Sequence, residues 1–266
     1  MESLSDVRGL IIDMDGVLWH GNQPLPGFIE FFQLLRERNL KFILATNNAS
    51  LTADQYAAKL AQMGVQVAKS EILTSSMATV RYLADRSHAS ATRVFAIGEE
   101  GLRRPLAERG FVLMDLYEVP VNYVVCGMDR GLSWDKLATA TLNIRAGAKF
   151  IGTNPDLTIP SEHGITHGNG AILAALQAAT GVAPIIIGKP EPIMYRQAMA
   201  LLGCTPAQTL AIGDRLDTDI LGAVRARIRS IMVLSGVSTE KDIEGRDYYP
   251  TWVMQDIREV VEALKK

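Results

Sequence analysis

Cysteine is scarce in this chain: Cys126 and Cys204 are the only two, far apart and in no C-x-x-C spacing. That excludes a disulfide framework and a cysteine-rich zinc site, and it fits a reducing compartment. An excess of charge of one sign is also missing. Lys and Arg number 27 against 29 Asp and Glu, a formal net charge of −2 with no block of like charges. The electrostatic footprint of a nucleic-acid binder and the polybasic patch of a membrane binder are therefore absent. No apolar run approaches the roughly 18–20 residues that span a bilayer. The opening MESLSDVRG carries acids where a signal peptide has a basic stretch and then an apolar one. The expectation is a cytoplasmic protein with no nucleic-acid and no membrane partner. Nucleotide motifs are lacking too: GNGAIL departs from G-x-G-x-x-G at Leu173, and G-x-x-x-x-G-K-[ST] does not occur.

What remains is ordinary globular material, 48% hydrophobic and 21% charged over 266 residues, enough for one large α/β domain or two smaller ones. Short apolar runs alternate with segments of helical period. RGLII (8–12) precedes GFIEFFQLLRERN, whose Phe28, Phe31, Phe32 and Leu35 share one helical face. KFILA (41–45), APIII (183–187), QTLAI (208–212) and RSIMVL (229–234) read as further strands separated by helices. Continuous apolar strands alternating with helices predict a doubly wound parallel sheet covered on both faces. The middle of the chain repeats the alternation on its own, from TRVFAIG through VNYVVCG and KFIGT to NGAILAALQAATG. The expected organisation is a core domain in two parts, 1–82 and 181–266, with an inserted α/β domain at 83–180.

Ligand sites in open α/β sheets lie outside the carboxyl ends of the strands. After the first expected strand come Asp13 and Asp15; after the second, Thr46 and Asn47; after APIII, Lys189; after QTLAI, Asp214, Asp217 and Asp219. Each has a plain alternative. Asp-x-Asp-Gly suits a turn, Thr46 or Asn47 suits a helix cap, Lys189 suits a solvated surface, and acids at a helix start complement its dipole. A calcium loop counted from Asp13 would need glycine at Leu18 and glutamate at Pro24. The coincidence of all four on one sheet edge favours a site instead. Carboxylates without histidine suit a hard divalent cation such as Mg²⁺. A lysine and a hydroxyl can hold a phosphoryl group, an aspartate can attack phosphorus, and a second carboxyl can carry a proton.

DMDGVL, TNN, GKP and GDRLDTDI, in that order, resemble the four motifs of the haloacid-dehalogenase superfamily, and the insert resembles its C2-type cap. DMDGVLWHGNQPLPG, GTNPD, GKPEP and VLSGV are similar to the NagD-like, p-nitrophenyl phosphatase subfamily. The resemblance implies a Rossmann-like core and a phosphatase acting on small phosphorylated metabolites. It implies Asp13 as nucleophile, Asp15 as general acid/base, phosphate binding by Thr46, the Asn47 backbone and Lys189, and Mg²⁺ held by Asp13, the Asp15 carbonyl and Asp214, with Asp219 in support. Asp217 falls outside the motif and reads as solvated or capping. A second acid at Asp15 favours expulsion of an alkoxide, as in an ester phosphatase, over halide. A phosphotransferase or mutase, or a non-catalytic phosphate binder, would share these residues. Asp129, Arg130, Asn154 and Asp156 follow strands of the insert, where relatives contact the leaving group, and a homodimer through the cap is the implied assembly.

One departure from the family pattern and one weaker metal candidate remain. Arg227 stands where relatives commonly carry glycine, at an expected left-handed helix end, an expected penalty of about 1 kcal/mol. His163 and His167 are four apart, but SEHGITHGNG reads as a loop, against a histidine metal site.

Overall fold

A computed structural model describes residues 4–161 and 164–266. The chain divides into two compact units. The first comprises the described residues up to Thr46, then Asp54–Leu73 and Lys189–Lys266; the second comprises Asn47–Ala53 and Thr74–Gly188. Residues 83–180 fall within the second unit, which also takes in helix Ser75–Ala84 and strand Ile185–Ile186.

The first unit is built on a six-stranded sheet in the order Trp252–Met254, Arg229–Val233, Thr209–Gly213, Gly9–Ile12, Lys41–Thr46, Ile72–Thr74. The strands Gly9–Ile12 and Thr209–Gly213 at its centre are buried along their whole length, which is why they read as unbroken apolar runs rather than alternating ones. They pair in parallel, with Ile12 opposite Ile212. From this pair the chain winds outward both ways. Gly9–Ile12 leads through helix Phe28–Glu37 to Lys41–Thr46, and Thr209–Gly213 leads through helix Leu221–Ala226 to Arg229–Val233. Right-handed crossovers in opposite directions put those helices on opposite faces and make the central pair the switch point where ligands bind. Helix Phe28–Glu37 buries Phe28, Phe31, Phe32, Leu34 and Leu35, and Phe32 meets Phe42 of the adjacent strand edge to face at 5.5 Å between ring centroids.

The second unit carries a five-stranded parallel sheet in the order Ile185–Ile186, Lys149–Gly152, Tyr123–Cys126, Arg93–Ile97, Val112–Leu113. Helices Trp134–Arg145 and Asn169–Thr180 pack together, and Ile144, Ile172 and Leu176 join Phe95, Val124 and Phe150 in one core.

Two expectations are corrected and one holds. APIII is not a strand of the first sheet: Ile185–Ile186 pairs with Lys149–Gly152 in the second. Its place in the first sheet is taken by Ile72–Thr74 and Trp252–Met254, too short and mixed to stand out by periodicity. The expected loop around His167 is instead an antiparallel hairpin, Thr158–Ser161 with Gly164–His167; His163 lies outside the described residues. Arg227 is the left-handed helix end expected of it, at φ 61° and ψ 38°. Among the described residues no helix is long and apolar enough to cross a membrane.

Candidate active site

Asp13 and Asp214 are the first residues beyond the two central strands, and the Asp13 amide still donates to the Ile212 carbonyl at 2.8 Å. Their carboxylates therefore meet at the switch point. Lys189 reaches them from the loop before helix Pro192–Leu202 rather than from a strand end. Its Nζ donates to Asp13 Oδ1 at 2.5 Å, to Asp219 Oδ1 at 2.6 Å and to the Ala45 carbonyl at 3.0 Å. At 3% exposure, Lys189 has traded water for three fixed acceptors, the full complement of an ammonium.

Asp219 lies two residues beyond Asp217 on a wide helical turn, Leu216–Ile220, so the two point to roughly opposite sides. Asp217 is exposed and paired with Arg215 at 3.1 Å; Asp219 is buried. Both Asp219 oxygens are committed, Oδ1 to Lys189 and Oδ2 to the Arg215 amide at 3.1 Å. Tyr195 donates its hydroxyl to the Asp219 carbonyl at 2.8 Å. Asp219 is thus a support for Lys189.

Asp214 is held differently. Oδ2 accepts from the Val237 amide at 2.7 Å, and the Asp214 carbonyl accepts from the Ser238 amide. Gly16 and Gly236 press against the carboxylate so closely that a Cβ at Gly16 would stand 2.5 Å from Oδ2. Among the described residues, Oδ1 is buried without a hydrogen-bond partner. Such an orphaned carboxylate oxygen is expensive unless something positive meets it.

Three carboxylates face one ammonium, and the titration follows from that excess. Burial pushes Asp214 up to about 7, helped by the charge of Asp219. Burial also pushes Asp13 well above the carboxylate range, against the pull of Lys189. Burial opposes the charge on Lys189 as well, but Asp13 and Asp219 outweigh it and hold the ammonium above its ordinary value. One oxygen from each of Asp13, Asp214 and Asp219 lies within 4.8 Å of the others. An all-oxygen donor set with net negative charge and an orphaned oxygen fits a hard divalent cation, with Asp13 and Asp214 as the carboxylates free to meet it.

Asp15 is exposed, on the turn beyond Asp13, and accepts from the Trp19 indole Nε1 at 2.8 Å. Thr46 closes its strand beside the buried Tyr56 hydroxyl, which burial, Asp15 and Asp13 keep protonated far above the phenol range. Sequence reasoning missed Trp19, Tyr56, Tyr195 and Gly236, because nothing in their spacing marks them; only VLSGV hinted at Gly236.

The second unit holds the other expected residues. The Asn47 carbonyl accepts from Ser75 Oγ at 2.7 Å and Asn154 Nδ2 at 2.8 Å, and Asn47 Nδ2 donates to the Asp156 carboxylate at 3.2 and 3.3 Å. Asn47, Asn154 and Asp156 are therefore one network. Asp129 is buried, accepting from Lys136 Nζ at 2.7 Å and the Gly131 amide at 2.9 Å. Arg130 pairs with Glu99 at 2.7 Å.

Residues 10–112 match the family model for haloacid dehalogenase-like hydrolases, and residues 186–260 match a second model of HAD-hydrolase-like proteins. An acid sugar phosphatase of Staphylococcus saprophyticus is 37% identical over 99% of this chain and 100% of its own length. The chain belongs to the haloacid dehalogenase-like hydrolases. Within that family it is NagD-like: NagD of E. coli K-12 superposes with a TM-score of 0.88 at 34% identity, covering 95% of this chain and 98% of NagD. A glycerol phosphate phosphatase of Mycobacterium tuberculosis, solved in complex with magnesium, superposes with a TM-score of 0.89 at 36% identity over 99% of this chain and 78% of its own. As a haloacid dehalogenase-like phosphatase, the chain is an enzyme of phosphoric monoester hydrolysis, with an α/β core of the family type.

Proposed function

We propose that this phosphatase hydrolyses small sugar or polyol phosphates through a phosphoryl-aspartate on Asp13, with Mg²⁺ as its cofactor. The observation that carries the reading is the Asp13–Lys189–Asp219 clamp standing beside Asp214 at the switch point of the sheet. The names of the acid sugar phosphatase and the glycerol phosphate phosphatase support the substrate class.

Asp13 forms a bond from a carboxylate oxygen to phosphorus as the ester oxygen–phosphorus bond breaks. Asp15 gives its proton to the departing alkoxide. Water then attacks the phosphoryl-aspartate, Asp15 takes the proton, and the bond between Asp13 and phosphorus breaks to release inorganic phosphate. Thr46 and Lys189 bind the phosphoryl oxygens, and Asp219 holds Lys189 at its station. Asp13, Asp214 and the Asp15 carbonyl would hold Mg²⁺, which supplies positive charge to the phosphoryl group. Because these charges are fixed before substrate arrives, they require little reorganisation in the transition state.

The test is hydrolysis of p-nitrophenyl phosphate and glycerol phosphate by purified protein with Mg²⁺. Activity that survives EDTA, or that persists in Asp13→Asn, overturns the mechanism.

A further inference from the structure

The turn that carries Asp15 also carries Trp19, and the two side chains are tied. We propose that Trp19, braced by Lys59, is a positioning residue that aims the Asp15 carboxyl at the leaving-group oxygen; this rests on the reading of Asp15 as proton donor.

The backbone makes the pairing local and rigid. Gly16 sits at φ 83°, its amide donates to the Trp19 carbonyl at 2.8 Å, and the Leu18 amide donates to the Met14 carbonyl at 2.8 Å. This closes the stretch DMDGVLW so that positions 15 and 19 stand side by side. Their mobilities would otherwise differ sharply. Asp15 is exposed, and a carboxylate on an exposed turn samples several rotamers. Trp19 is among the largest fully buried side chains of the protein, and packing fixes its ring. An indole has one N–H and no acceptor, so its 2.8 Å bond to Oδ1 transfers that fixed direction to the carboxyl.

Lys59 secures the ring from outside. Its Nζ lies 4.5 Å from the Trp19 ring centroid and donates to the Gly21 carbonyl at 2.7 Å. Gly21 lies in the turn of the hairpin Trp19–His20/Gln23–Pro24. One ammonium thus rests on the indole face and ties down the turn that follows it. A cation over the face of an indole is attracted by the ring, and it draws electron density away from the N–H, which strengthens the donor. The plain alternative is that Asp15 merely satisfies a buried indole.

Leaving-group chemistry separates the two. p-Nitrophenolate departs without a proton; an alkoxide needs one. Trp19→Phe keeps an aromatic ring, though a smaller one, and deletes the N–H. Expected is about a tenfold loss of kcat/KM on glycerol phosphate, the upper end of the scale of one neutral hydrogen bond, with less than about a twofold loss on p-nitrophenyl phosphate. In the Asp15→Asn background the same substitution should change neither. Equal losses on both esters, or a further loss in the double variant, overturn the proposal. Asp15→Asn tested alone keeps the two readings apart: without a selective loss on glycerol phosphate, the proton-donor reading falls and takes this proposal with it. A selective loss there, with an unselective Trp19→Phe, overturns the positioning role only. A second readout needs neither metal nor substrate. The chain has three tryptophans, and in a ¹⁵N-indole spectrum the Trp19 N–H should move in Asp15→Asn; an unmoved resonance overturns the bond. Should Trp19→Phe not fold, Lys59→Met decides the kinetics, with the same selectivity expected and an unselective loss overturning it.

Discussion

Replacing Gly236 with alanine should disable this enzyme without altering a charged or reacting group. A Cβ at position 236 would fall on Cβ, Cγ and Oδ2 of Asp214 alike, far inside any real carbon contact. The backbone there is not left-handed, so alanine meets no conformational penalty, only the carboxylate. Carbon contacts relax to about 3.5 Å, which forces the carboxylate back by about 1 Å or more. Oδ2 then loses the Val237 amide now at 2.7 Å, and the carboxylate leaves its place beside the Asp13 and Asp219 oxygens. A misplacement of about 1 Å lowers the rate roughly 100-fold, and loosening a carboxylate's support weakens metal affinity by about 10-fold or more. Expected, then, are a kcat/KM for p-nitrophenyl phosphate about 100-fold down and a half-saturating Mg²⁺ concentration about tenfold up. The circular dichroism spectrum should be unchanged. Activity and Mg²⁺ dependence within about twofold of the parent would refute the idea that the glycine fixes Asp214 for metal binding.

Asp219→Asn should lower kcat about 10- to 100-fold with little change in KM, because Lys189 loses a counter-charge and the Arg215 amide loses its acceptor; an unchanged kcat in steady-state assays would count against the clamp. Metal-free protein should grow less stable as pH rises from about 4 to about 7. Asp214 titrates at about 7 when folded but near 3.9 when unfolded, so in that window the folded state binds a proton the unfolded state has shed. Thermal melts in EDTA should show this fall in the parent and a smaller one in Asp214→Asn, where Asp13 is still raised by burial, and Mg²⁺ should restore more at pH 7.5 than at pH 5; a parent that gains stability over that window refutes it. Arg227→Gly should raise stability by about 0.5–1 kcal/mol by removing a side chain from φ 61°, with hydrolysis unaffected; a lowered denaturation midpoint would refute the strain.

Much of this was legible in the chain. Gly9–Ile12 and Thr209–Gly213 read as buried parallel strands because both their faces are covered, and that placed Asp13 and Asp214 at strand ends. Arg227 read as a left-handed helix end because relatives commonly carry glycine there, and it stands at φ 61°. APIII misled because a short apolar run states that it is buried but not which sheet buries it; its pairing with Lys149–Gly152 is a tertiary choice. Lys189 meets Asp13 from a loop and not from a strand end of the first sheet, as its place after APIII suggested. The indole bond to Asp15 was invisible because it depends on how tightly the turn at Gly16 closes. The grip of Gly236 on Asp214 was invisible because it joins residues distant in sequence.

The pairing of Gly9 with Thr209 also sets an order of events. The sheet of the second unit draws all its strands from residues 93–186, so it can complete while the last part of the chain is still unformed. The strand that ends at Asp13 must wait for a neighbour from the far end of the sequence, and contacts of such long separation form late because closing the loop comes before any gain. In pulsed hydrogen exchange during refolding, amides of Tyr123–Cys126 should gain protection before those of Gly9–Ile12; the reverse order would refute this. A chain cut short before Thr209 therefore carries Asp13 on an unfinished edge.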